Sequence, residues 1–156
     1  QETILFEGAA LERSLEVDMA QDAAFFGLEA VIIGREAHGE DALSARLKDN
    51  WRVRRGGVLL HAEASRLDAN CLVARNNIAL LDGARAYATL CYVASDAMRH
   101  IEPVKALLAK STTAGASLIG DKLVVRAIAD SGYRLRKTIM PVIAQLAGAV
   151  PKLWSL

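Results

Sequence analysis

The chain has 156 residues, 53% of them hydrophobic, which is enough to bury a real core and too apolar for a disordered segment. Lys and Arg number 19 against 18 Asp and Glu, a net charge of +1. A nucleic-acid binder shows a basic excess or stripe, and neither is present; the short cluster Arg52, Arg54 and Arg55, preceded by Asp49, reads more readily as a solvated strand end than as a phosphate site. In chain order the first two-thirds read as β. Thr3–Phe6 is a short apolar strand. In Leu11–Met19, Leu11, Arg13, Leu15 and Val17 share one face, and Glu12, Ser14, Glu16 and Asp18 share the other. Ala20–Ala24 reads as one helical turn. Phe25–Ile33 is the most apolar stretch and reads as a central strand. Leu43–Arg55 alternates less cleanly around Leu47, Trp51 and Val53. Gly56-Gly57 then turns the chain, so that Val58–Leu67 pairs back as a hairpin. Ala84–Val93 and Leu123–Ala127 are further strands, and Ser111–Gly115 reads as a loop. Pro103 suits the first turn of a helix running to Lys110. The clearest helix follows Asp130-Ser131. It has a stripe of Leu135, Ile139, Val142, Ile143 and Leu146, a kink or division expected at Pro141, and an end at Gly148. The segment Asp68–Leu81 gives no assignable element.

The chemistry-bearing residues exclude more than they assign. There is no GxxxxGK[ST] or GxGxxG phosphate loop and no GxSxG nucleophile context. His38, His61 and His100 are scattered. Cys71 and Cys91 lack the spacing of a metal site or a disulfide framework and read as small hydrophobes. The apolar run ending at Gly34 is too short for a membrane span and contains Glu29. Residues 1–7 carry no basic-then-apolar leader pattern. A reducing cytoplasm is the expected compartment. The abrupt start in a strand leads us to expect one domain, residues 1–156, forming the C-terminal part of a longer protein.

What stands out is a set of carboxylates inside apolar strands. Glu29 interrupts Phe25–Ile33, Glu63 interrupts Val58–Leu67, and Glu40 follows Gly39 at a turn. Burying a carboxylate without a partner is costly. Each therefore either joins an ion pair, with Arg35 and Arg66 as candidate partners, or lines a wet cavity. A cleft acid such as Glu29 would equally serve a small β-rich ligand-binding or hydrolytic domain.

Several segments together resemble one family. ILFEGAALERSLEVDMAQDA, LEAVIIGREAHGE with Glu29, Gly34, Arg35, Gly39 and Glu40, VLLHAEASRL with Glu63 and Arg66, KLVVRAIADSGYRLRKTIMPVIAQL and PKLWSL are similar, in order and spacing, to the urease accessory protein UreD, also called UreH. The resemblance implies a mainly β fold with two α-helices, a β-helix-like stack of sheets that is part of a larger UreD-type fold. It implies a non-enzymatic scaffold for nickel insertion that binds apo-urease and UreF, and through UreF the GTPase UreG. It also implies that nickel is in transit rather than tightly bound, which gives Glu29, Glu40 and Glu63 a reading as path-lining groups with no fixed metal ligand. Arg134, Arg136 and Lys137, near the start of the last helix, are either simply solvated or meet an acidic surface of UreF or urease.

Overall fold

The computed structural model describes residues 2–154. Among them lie eight strands, three α-helices and two short 3-10 turns. The strands are β1 (Thr3–Leu5), β2 (Ala10–Met19), β3 (Phe25–Ile33), β4 (Arg46–Arg55), β5 (Val58–Leu67), β6 (Ala86–Val93), β7 (Ala114–Ile119) and β8 (Lys122–Ala129); the helices are α1 (Ala69–Val73), α2 (Ala97–Leu108) and α3 (Gly132–Ala147). The fold is mainly β, as the alternating strand patterns predict. The sheets run β1-β3-β6-β8-β7 and β2-β4-β5. The chain divides into two compact units: Gln1–Thr3, Ala24–Ile32 and Ala84–Leu156, and Ile4–Ala23 with Ile33–Gly83.

In the first unit, β6 is central and pairs antiparallel with both β3 and β8, and β7 closes the sheet beyond β8. One face of that sheet packs under α2 and α3 in an apolar core that includes Leu90, Leu123, Val125, Val104 and Leu108. Helix α3 buries Leu135, Ile139, Val142, Ile143 and Leu146, the five positions of the predicted stripe. Each such side chain contributes about 1.5–3 kcal/mol when taken from water. Ser131 caps α3 by accepting from the Arg134 backbone N–H at 3.3 Å, and Gly148 ends it in a left-handed conformation. Pro141 does not divide this helix, which is continuous from Gly132 to Ala147.

Several expectations need correction. Helix α2 begins at Ala97 rather than at Pro103, because the apolar stripe of Ala97, Ile101, Val104 and Leu108 extends back through the proline and Pro103 sits inside the helix. The region around Ser111–Gly115 is only partly a loop: β7 starts at Ala114, where small residues pair with β8 and hide their strand character. Ala20–Ala24 is a turn closed by the Ala23 N–H on the Ala20 carbonyl, without a helical turn. The helices number three among the described residues, not two. The third is the short α1 in the unassigned segment, held by Asp68, whose carboxylate accepts from the Cys71 N–H at 2.9 Å.

The second unit is built on the three-stranded sheet. Its β2 and β4 pair parallel over ten residues, while β4 and β5 form the predicted hairpin around Gly56-Gly57. Both glycines take positive φ, which the turn requires. A register shift between Val53 and Arg54 marks a bulge near the tip.

Candidate functional site

Strand alternation places a polar set on the buried face of the three-stranded sheet. On β4 the residues Leu47, Asp49, Trp51 and Val53 point to one side and all are buried. The register sets Arg13 beside Asp49 on β2, and on β5 it sets Ser65 beside Asp49, Glu63 beside Trp51 and His61 beside Val53. Asp49, His61 and Glu63 are 3%, 5% and 9% exposed, values that only partnered polar groups sustain. Arg13 donates to Asp49 Oδ2 at 2.9 Å. Asp49 Oδ1 has no hydrogen-bond partner among the described residues. Glu63 accepts from the Ser65 hydroxyl at 3.4 Å, and His61 Nε2 lies 3.9 Å from Glu63 Oε2. The His61 ring stands edge-on to Trp51, 6.3 Å between centroids. Two carboxylates and an imidazole thus share one buried face as a polar strip, but among the described residues no three His, Cys, Asp or Glu side chains are grouped so as to hold a metal ion. The Arg13 charge offsets Asp49.

Of the sequence-predicted residues, Glu63 belongs to this strip. Arg66, three residues on, falls on the opposite, exposed face beside Lys48, because an odd separation reverses direction along a strand; it is not the partner of Glu63. Asp49 and His61 carry the same signal and are legible only in hindsight. Period-two counting from Trp51 reaches Asp49, and counting from Glu63 reaches His61.

Glu40 is committed elsewhere. It accepts from the Arg35 guanidinium at 2.9 Å and from the Glu7 backbone N–H at 2.9 Å. Glu7 reciprocates: its carboxylate takes the backbone N–H of Leu43 and of Ser44, each at 2.8 Å, together with the Ser44 hydroxyl. The two carboxylates thus tie the turn after β1 to the loop before β4. Arg35 also lies over the Phe6 ring, 4.8 Å from its centroid. The hydrogen bond from Arg35 holds Glu40 below the ordinary carboxylate range, and the Ser44 hydrogen bonds do the same for Glu7.

In the other unit Glu29 is half-buried, opposite Thr89, and accepts from the Thr3 hydroxyl at 3.0 Å. The cations of α3 are engaged within the chain. Arg136 donates two hydrogen bonds of 2.9 Å to Glu2 and lies 5.9 Å from the centroid of the buried Trp154 ring. Burial alone would raise the Glu2 carboxyl, but its bonds to Arg136 and the neighbouring charges outweigh that and leave it lowered. Arg134 pairs with Asp130 at 3.2 Å, and Lys137 sits 4.9 Å over Tyr133. Arg134 and Lys137 remain solvent-exposed; Arg136 is half-buried. Sequence reasoning also missed a polar chain running from β6 to α3. The Tyr92 hydroxyl donates to Asp96 at 2.7 Å, Asp96 meets His100 at 3.3 Å, and His100 meets Gln145 at 3.2 Å. Burial, aided by Asp96, pushes the Tyr92 phenol up to about 12, while the Tyr92 hydrogen bond lowers Asp96. No helix among the described residues is long and apolar enough to cross a membrane.

Comparison with known proteins gives these features a context. A family model described as UreD urease accessory protein matches residues 1–155. The chain belongs to the UreD family. Its relatives include proteins named urease accessory protein UreD from Chelativorans sp. (strain BNC1), 49% identical, Sinorhizobium medicae (strain WSM419), 44% identical, and Agrobacterium fabrum (strain C58 / ATCC 33970), 40% identical. Each match takes in 100% of this chain and 57%, 58% and 55% of the respective UreD relative. The chain therefore spans a little over half the length of these UreD proteins. The family is described as a urease accessory protein.

Proposed function

We propose that this chain acts in urease maturation as a non-enzymatic scaffold that helps deliver nickel into apo-urease. In this reading the protein works in the cytoplasm. It engages apo-urease on one surface and UreF on another, with UreG recruited through UreF. Nickel is the cargo rather than a resident cofactor. The observation that carries the reading is membership of the UreD family across the whole chain, and the buried face of the second sheet supplies a physical basis for cargo handling.

Hard oxygen donors attract a divalent cation without the tight hold of clustered thiolates or imidazoles. Glu63 supplies such oxygens in a low-dielectric setting, and Asp49 adds the one oxygen that its ion pair with Arg13 leaves over. His61 supplies one softer nitrogen beside them. Glu29 offers a half-buried oxygen in the other unit. Glu40, saturated by Arg35 and the Glu7 N–H, serves the loop and takes no part in transit. Arg134 and Lys137 carry the partner contact proposed for α3, while Arg136 is spent on Glu2.

The test is urease activation by the intact protein co-expressed with urease and the other accessory proteins. Nickel content of the purified urease is measured alongside activity. Glu63→Gln combined with Asp49→Asn is expected to lower nickel content severalfold while apo-urease and UreF still co-purify. Full nickel loading by that variant removes the buried face from the path. Failure of the unmodified protein to co-purify with either partner removes the scaffold reading itself. Charge reversal at Arg134 and Lys137 is expected to weaken co-purification.

A further inference from the structure

The outward face of the three-stranded sheet carries a second feature, separate from the buried strip. A cleft of about 480 Å³ opens across the start of β2, the start of β4 and the end of β5. Its volume lies in the range of ligand sites, roughly 300–1,000 Å³. Two outward rows wall it. Glu12, Lys48 and Arg66 stand in one, and Arg46 in the next. Lys48 lies 3.5 Å from Glu12. Asp68 also lines the cleft, but one of its oxygens caps α1 by accepting the Cys71 N–H. Among the described residues neither Arg46 nor Arg66 has a carboxylate within bridging distance, and both are exposed. Among the described residues the cleft thus holds two guanidinium groups outside any ion pair, in a position where a ligand can reach them.

The geometry points to this cleft, with the adjoining edge of β5, as a docking surface for an extended acidic segment of a partner protein. Charge complementarity sets the chemistry, since guanidinium groups pair carboxylates in a bidentate fork. Strand geometry sets the shape. Arg46 and Lys48 are two residues apart on one face, a repeat of roughly 6.6 Å, which matches the spacing of alternate side chains in an extended peptide. β5 is an edge strand, so its outer backbone groups are the kind that an added strand pairs with. Its outward residues Ala62 and Ala64 are small and exposed, which lets a neighbouring segment lie close beside Arg66. A nucleic-acid backbone fits less well. Glu12 and Asp68 line the cleft itself, and Glu16 and Asp18 continue the row on the same face with Glu16 paired to Arg54 at 2.7 Å, a mixture of signs that suits carboxylates at spaced positions better than an unbroken run of phosphates. The surface stands whether or not the buried face handles nickel.

The experiment is fluorescence anisotropy of the intact protein with a labelled decapeptide of alternating Glu and Thr at low salt. Saturable, salt-sensitive binding is expected. Arg46→Glu with Arg66→Glu is expected to weaken it by at least about tenfold. Arg46→Gln with Arg66→Gln, which keeps bulk and lowers the risk of misfolding, is expected to give a smaller loss. Circular dichroism melts identify any variant that has lost its fold. Absence of binding, or equal affinity in the Gln pair and the parent, overturns the proposal. So does equal affinity for a peptide of the same composition with its glutamates in one block. Displacement of the peptide by inorganic phosphate would mark a small-anion site. Tighter binding of a single-stranded RNA would mark a nucleic-acid surface. Either result overturns the acidic-segment assignment.

Discussion

Glu40, which stands out in the sequence as a candidate carboxylate, is braced reciprocally with Glu7. Each accepts backbone N–H groups from the other's segment, and Glu40 also holds Arg35. Both have carboxyls lowered from the ordinary value of 4.5, Glu7 chiefly by Ser44 and Glu40 chiefly by Arg35. A group whose folded-state pKa is depressed contributes stability that is complete above its unfolded value and fades as pH falls through the folded one. The brace is therefore expected to hold at neutral pH and to fail progressively in acid, below the ordinary carboxylate range. Glu40→Gln replaces one accepting oxygen with an amide that faces a donor. We expect it to lower the melting temperature at neutral pH and to flatten the acid side of the melting profile relative to the parent. Thermal melts followed by circular dichroism from neutral pH down to strong acid check this. Parallel profiles for variant and parent would show that the brace contributes nothing. The same comparison explains why Glu29, Glu40 and Glu63 could not be ranked from sequence. All three interrupt or flank apolar strands, and their difference lies in what the fold brings to them.

At the scale of elements, what could be read depended on which signal the residues carried. Helix α3 was legible because its five apolar positions follow the helical repeat, and Ser131 and Gly148 mark its ends. The β4–β5 hairpin was legible because two glycines separate two alternating runs. Strand β7 was not, because Ala114, Gly115, Ala116 and Ser117 have little intrinsic strand preference and become a strand through pairing with β8. The start of α2 was misplaced because Pro103 imitates a first-turn proline. The polar strip was half legible. Glu63 stands out in its strand, but the burial of Asp49 beside Arg13 depends on the parallel register of β2 against β4, which no local pattern announces. These distinctions carry into energetics. Leu135→Ala, at a fully buried α3 position, is expected to cost about 3 kcal/mol. Ser131→Ala removes a long cap bond together with the hydroxyl's own bond to Asp130 and is expected to cost roughly 0.5–1 kcal/mol. Urea unfolding measures both. Comparable losses would mean that α3 depends on its cap as much as on its stripe.

At the scale of the whole molecule, surface composition bears on behaviour in solution. The charge of +1 and a sequence pI of about 8.0 leave little electrostatic repulsion between copies slightly above neutral pH. Apolar side chains are exposed at the same time, notably Val73 at 69% and Ile78 at 82% around the turn-rich segment after α1. Large exposed apolar groups on a weakly charged surface favour self-association. Strands at a sheet edge, such as β5, are the places where one sheet can extend into another. The chain is therefore expected to scatter most light near pH 8 and less on either side, as net charge grows in both directions. Val73→Ser with Ile78→Ser removes exposed apolar surface without touching either sheet. It is expected to lower scattering near pH 8 while changing stability by no more than about 0.5 kcal/mol, the usual range for surface substitutions. Static light scattering across pH, with a urea melt on the same samples, separates the possible causes. Unchanged scattering in the double variant would move the cause from these side chains to the strand edges. A large drop in stability would mean that the segment after α1 packs more tightly than its exposure indicates.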